Sequence, residues 1–137
     1  MTSKEYKELV SGKKPSKYKN NKPSYYDPVI KRTLTFDSNK ELRYYLVLRD
    51  REKKGEIDCI ERQYKIEIQP AFTDSSGKKH RSINYLADFY YIELKRDDNG
   101  EIIDFIAHVV DVKGYKTEVY KLKKKLLAYK GIIIEEV

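Results

Sequence analysis

Apolar positions recur along this chain with two periods, and the changes of period mark its elements. Leu42, Tyr45 and Leu46, with Arg49, fall three or four residues apart, the spacing of one helix face. Ser38-Asn39-Lys40-Glu41 ahead of them is a Ser-x-x-Glu capping box, and Gly55 supplies a C-terminal stop, so a helix is predicted within residues 38–55. Two linked extended pieces follow, Ile57-Asp58-Cys59-Ile60 and Tyr64-Lys65-Ile66-Glu67-Ile68. The second alternates apolar and charged residues as a half-exposed strand does, and Pro70 prevents its continuation. The stretch 83–92 is nearly all apolar or aromatic and reads as a strand. Arg96-Asp97-Asp98-Asn99-Gly100 is a hairpin turn leading into a second strand at 102–112. Thr117 can cap a helix with Val119, Leu122, Leu126 and Tyr129 as its stripe, closed by Lys130-Gly131. Ile132-Ile133-Ile134-Glu135-Glu136-Val137 reads as a final buried strand. Upstream, residues 25–36 are extended, with an interruption at Asp27-Pro28. Ser3 to Val10 could make a short helix, but residues 13–23, a mix of Lys, Asn and Pro, have no period, and residues 1–24 read as a basic N-terminal arm ahead of one α/β domain at 25–137.

Three carboxylates stand out against this pattern. Asp88 lies in the middle of an apolar strand, where a charge requires a partner or a cation. Asp111 and Lys113 sit two apart in Val109-Val110-Asp111-Val112-Lys113-Gly114 and therefore share one face of a strand. A cross-strand or self-paired salt bridge is the ordinary account of such an Asp-x-Lys. Eleven residues separate Asp88 from Asn99 and twelve separate Asn99 from Asp111, so an antiparallel hairpin would set the two aspartates side by side. Glu41, in the first turn of a helix, either caps the first amide or faces a metal site across the core. His108 differs from Asp111 by an odd number of positions and should face away as a packed residue. The acidic pair Asp97-Asp98 is ordinary turn chemistry.

Composition narrows the chemistry. A single Cys59 and two distant histidines, His80 and His108, exclude an internal disulfide framework and make zinc or histidine-metal sites poor readings. The net charge of +7 points to an acidic partner, of which nucleic acid is the commonest. Lys17, Lys19 and Lys22 in the arm, and Lys116, Lys121 and Lys124 around the last helix, are the candidate phosphate contacts. A solvated tail and a solvated helix face are the alternatives. Thirteen tyrosines, mostly packing residues, add the possibility of base stacking. No apolar run is long enough to span a bilayer and no signal-peptide core opens the sequence, so no membrane association and a cytoplasmic location are expected.

Taken in order, these features resemble the PD-(D/E)xK nuclease superfamily, with its restriction-endonuclease-like αβββαβ core of a central mixed sheet flanked by helices. Phe36-Asp37-Ser38-Asn39-Lys40-Glu41, Ile83-Asn84-Tyr85-Leu86-Ala87-Asp88-Phe89 and Asp111-Val112-Lys113-Gly114, with the Lys-rich stretch after Thr117, are similar to a small, mostly phage-borne family of uncharacterised proteins within it. The resemblance covers roughly residues 17–137. It implies that Asp88 and Asp111 fill the two acidic positions, Lys113 the lysine and Glu41 the helical acid. Ala87 stands where the proline that names the motif would be. It further implies Mg²⁺, with Mn²⁺ as substitute, held by Asp88, Asp111, Glu41 and the Val112 carbonyl, and hydrolysis of DNA, with branched or four-way-junction DNA as one candidate form. A homodimer would suit cutting of both strands, and a bacterial host cytoplasm would suit a phage-encoded chain. A DNA-binding accessory module and a protein-binding regulator that reuses the fold are the other readings.

Overall fold

The computed structural model describes residues 22–112 and 116–137, in two compact units that divide between Leu46 and Val47. In the first unit, strands β1 (Ser24–Asp27) and β2 (Arg32–Thr35) form an antiparallel hairpin that pairs Tyr25 with Leu34. The interruption expected at Asp27-Pro28 is the turn of this hairpin. Buried Asp27 accepts the Val29 N–H at 2.8 Å and the Tyr45 hydroxyl. Helix α1 (Asn39–Lys53) starts here, with the Glu41 N–H donating to Ser38 Oγ at 3.1 Å, as the capping box requires. The Phe36 and Tyr45 rings meet at 5.3 Å. Gly55, at φ 78°, lies just beyond the helix in the left-handed conformation that favours glycine.

The second unit is built on a four-stranded mixed sheet, so the fold class is α/β. Strands β3 (Ile57–Gln69), β6 (Ile83–Arg96), β7 (Ile102–Asp111) and β8 (Ile134–Glu136) lie side by side in that order. The first three are antiparallel neighbours, and β8 runs parallel to β7. Such a parallel pair requires a crossover, here made by helix α2 (Glu118–Tyr129), whose Thr117 cap accepts the Tyr120 N–H at 3.0 Å. Two short strands, β4 (Phe72–Thr73) and β5 (Lys79–His80), form a small hairpin between β3 and β6. Ile68, Tyr85, Ala87, Val109, Tyr120, Leu127 and Ile134 form one buried cluster among sheet and helix. Among the described residues, no helix is long and apolar enough to cross a membrane.

Two expectations are corrected. The extended pieces predicted at 57–60 and 64–68 are one strand, bent where Cys59 and Gln63 adopt positive φ and the register with β6 shifts between Asp58 and Glu61. The helix faces are also displaced by one residue. In α1 the buried side chains are Glu41, Tyr45 and Leu48, whereas Leu46 is exposed. In α2 they are Tyr120 and Leu127, whereas Val119, Leu122, Leu126 and Tyr129 are exposed. Lysines explain the second shift. Lys123 Nζ donates to the Asn84 carbonyl at 2.9 Å, Lys130 reaches the Ile68 carbonyl, and Lys124 binds Glu136. Their aliphatic stems cover the sheet while their charged ends find oxygens, a use of lysine that a hydrophobic period does not register.

Candidate active site

The site lies where β7 parts from β6. Their ladder runs from Arg96 opposite Ile102 to Phe89 opposite Val110, and the next step sets Asp88 against Asp111. There the backbone pairing gives way to a side-chain exchange. The Asp88 N–H donates to Asp111 Oδ1 at 3.0 Å, and the Val112 N–H donates to Asp88 Oδ2 at 2.8 Å. On the other side of β7, Asp111 is in register with Glu136 of β8, and its carbonyl accepts the Val137 N–H at 2.9 Å. Asp88, Asp111 and Glu136 thus stand in a row across three neighbouring strands. The apolar residues around them, Ala87, Phe89 and Val110, are buried and hold the strand ends in place, and Asp111 itself is 0% exposed.

Electrostatics ties this row to α2. Tyr120 is buried beneath it, and its pKa is raised first by that burial and then by the negative charge of Glu136, Asp111 and Asp88. Its hydroxyl therefore keeps its proton. Lys124 binds Glu136 Oε1 and Lys116 lies 2.9 Å from Oε2; these two ammonium groups hold the carboxyl at a pKa of about 2. An open cleft of about 430 Å³ adjoins this cluster, lined by Lys116, Tyr120, Lys121, Lys124, Lys125 and Glu136 among others. A cleft edged by four lysines concentrates positive charge beside the carboxylate row and suits an anion.

The predicted residues meet different outcomes. Asp88 and Asp111 are brought together as the hairpin count expected, with Val112 joined to them through its amide. Lys113, Lys17 and Lys19 lie outside the described residues. Glu41 is buried in the first turn of α1 within the first unit. Lys22 is exposed and 3.4 Å from Asp37, and Lys121 is 3.2 Å from Glu118. Lys116 and Lys124, expected as phosphate contacts, also hold Glu136. Glu136 itself was not anticipated. The only signal for it was an acidic pair ending an apolar run.

Residues 15–136 match the family described as Protein of unknown function (DUF1064). The chain belongs to that family. The DUF1064 match takes in Glu41, Asp88, Asp111 and Glu136 together. Neither a curated protein nor a solved structure matches the chain.

Among the described residues, no three His, Cys, Asp or Glu side chains converge as a complete metal cage. The donor set that is present suits Mg²⁺ all the same. That ion commonly takes one or two carboxylates and fills its octahedron with waters and substrate phosphate oxygens. Asp88 and Asp111 supply carboxylate oxygens, the hard donors such an ion takes.

His108 sits apart from this row, opposite Tyr91. Its Nε2 is 2.8 Å from Glu93 and its Nδ1 2.7 Å from Glu135, with the ring stacked on Tyr91 at 4.8 Å. Burial lowers its pKa, but the two carboxylate hydrogen bonds outweigh burial and the net shift is upward. A histidine with a raised native pKa stabilises the fold fully below its unfolded value of about 6.5, and the gain fades as pH rises through the native value. The thermal midpoint should therefore fall more steeply above about pH 6.5 in wild type than in His108→Gln. Parallel profiles across that window would show that the cluster carries no such linkage.

Proposed function

We propose that this chain is a metal-dependent DNA endonuclease of the PD-(D/E)xK kind. The observation that carries the reading is the direct opposition of Asp88 and Asp111, each carboxylate bonded to the other strand's backbone, at the end of the β6–β7 ladder. Two neighbouring carboxylates would supply the hard oxygen donors and negative charge that a divalent cation takes. In this reading Asp88 and Asp111 hold Mg²⁺ or Mn²⁺, with the Val112 carbonyl as a further ligand. When bound, the metal lowers the pKa of a coordinated water and neutralises charge on the scissile phosphate. Lys113 stabilises the charge developing on phosphorus or positions the attacking water. Lys116, Lys121 and Lys124, with Lys17, Lys19 and Lys22 of the arm, bind the phosphate backbone. The net charge of +7 favours a polyanion as partner. Branched or junction DNA is the substrate class, two copies act together where both strands are cut, and the bacterial cytoplasm is the setting.

The test is incubation of the protein with labelled linear, single-stranded, flapped and four-way-junction DNA in Mg²⁺, Mn²⁺ or EDTA. Cleavage that requires metal and disappears in EDTA is expected. Salt-sensitive binding without cleavage in either metal would replace the enzyme with an accessory DNA-binding module. Absence of both would favour a protein-binding regulator.

A further inference from the structure

The β3–β6 ribbon does not end where β7 does. Beyond Asp88, residues 83–87 of β6 stay paired with β3, from Ala87 opposite Tyr64 to Ile83 opposite Gln69. Five residues carry this two-stranded ribbon roughly 16 Å past the paired aspartates, at about 3.3 Å per residue. The β4–β5 hairpin follows directly, pairing Phe72 with His80 and Thr73 with Lys79.

That hairpin is more than a solvated turn. The Phe72 ring lies on His80 at 4.7 Å and 14°, yet remains 45% exposed. His80 is fixed by a 2.7 Å contact to Asp74, which also accepts the N–H groups of Ser76 and Lys78. Hydrogen bonds from Ser76 and then His80 hold Asp74 at a pKa of about 2, so it stays ionised and keeps the arrangement closed. Lys78, Lys79 and Arg81 are exposed around it, and among the described residues no carboxylate pairs with any of them. A fixed aromatic platform ringed by three uncommitted cations is the combination that binds unpaired nucleotides: cations take the phosphates and a ring takes the face of a base. Duplex bases are stacked on one another and offer no such face.

We infer that the β4–β5 hairpin is a nucleic-acid arm that grips single-stranded nucleotides roughly 16 Å or more from the bond being cut, with Phe72 stacking on a base and Lys78, Lys79 and Arg81 binding the backbone. The inference rests on the nuclease reading for its substrate and directs the enzyme towards DNA with an unpaired tail or branch. The arm is tested separately from the chemistry by measuring binding of the full chain in EDTA. The probes are a fluorescein-labelled duplex with a single-stranded tail and the same duplex blunt, each across a salt series. The triple substitution K78Q/K79Q/R81Q should weaken binding of the tailed duplex by about tenfold or more and flatten the slope of log affinity against log salt by about two. Phe72→Leu, which keeps the apolar contact with His80 and removes the ring, should lose about fivefold or more on the tailed duplex and little on the blunt one. K78R/K79R, which keeps the charge, should bind as wild type does, and matching thermal midpoints exclude misfolding. Unchanged affinity and salt slope in the triple variant, or equal losses on tailed and blunt DNA in Phe72→Leu, would overturn the arm even if wild type cleaves. A chain that cleaves nothing but shows the arm effects would overturn the nuclease reading and leave the arm standing.

Discussion

Asp111→Asn should abolish metal-dependent cleavage, with a loss on the order of a thousandfold or more, while leaving the protein folded and able to bind DNA. The amide is isosteric with the carboxylate, and its oxygen can still accept the Asp88 N–H that Asp111 Oδ1 accepts at 3.0 Å. What disappears is the negative charge that a divalent cation needs. Asp88→Asn should behave alike, because its Oδ2 holds the Val112 N–H in the same way. Either change also removes one anion, so DNA affinity should hold or tighten as repulsion of phosphate falls. The measurement is single-turnover cleavage of the best DNA from the substrate panel, in Mg²⁺ and Mn²⁺, paired with binding in EDTA. Cleavage by Asp111→Asn at the wild-type rate would remove Asp111 from the chemistry and with it the proposed centre. Loss of binding together with cleavage would point instead to a structural role.

The reach of the sequence follows from how each register is set. Asp88 and Asp111 flank one tight turn at Asp97–Gly100, where Gly100 takes φ 82°; counting outward from it brings them within one residue of each other, and the register irregularity between Lys95 and Arg96 takes up that residue. His108 was legible to the same extent: parity put it off the aspartate row, but the carboxylates that hold it come from β6 and β8 and needed the sheet order. Glu136 lay out of reach for a related reason. It meets Asp111 through a parallel pairing whose register is set by the packing of α2, and no turn joins the two strands to count from. The capping residues Ser38 and Thr117 were local signals and located the helix starts. The helix faces were not local. Periodicity selects the more hydrophobic stripe, yet α2 turns Lys123 and Lys124 toward the sheet because Asn84 and Glu136 offer oxygens there.

This displaced face leads to the largest expected loss of stability. Leu127→Ala should cost about 2–5 kcal/mol, whereas Leu126→Ala, one residue earlier, should stay within about 1 kcal/mol. Leu127 is 0% exposed and belongs to the cluster of Ile68, Tyr85, Ala87, Val109, Tyr120 and Ile134, so truncation leaves a cavity bounded by β3, β6, β7 and β8. Leu126 is 38% exposed, and alanine recovers helix propensity there. Urea unfolding with an unchanged slope would measure both. A reversed order, with Leu126→Ala the costly change, would restore the face that the apolar period predicts. The consequence extends to the site. The Leu127 carbonyl accepts the Ile132 N–H at 2.9 Å, which sets the chain's entry into β8 and therefore the position of Glu136 beside Asp111. In Leu127→Ala the Lys124–Glu136 contact should loosen first, and the Glu136 carboxyl should titrate closer to its ordinary value than to about 2, which carboxylate NMR would read directly.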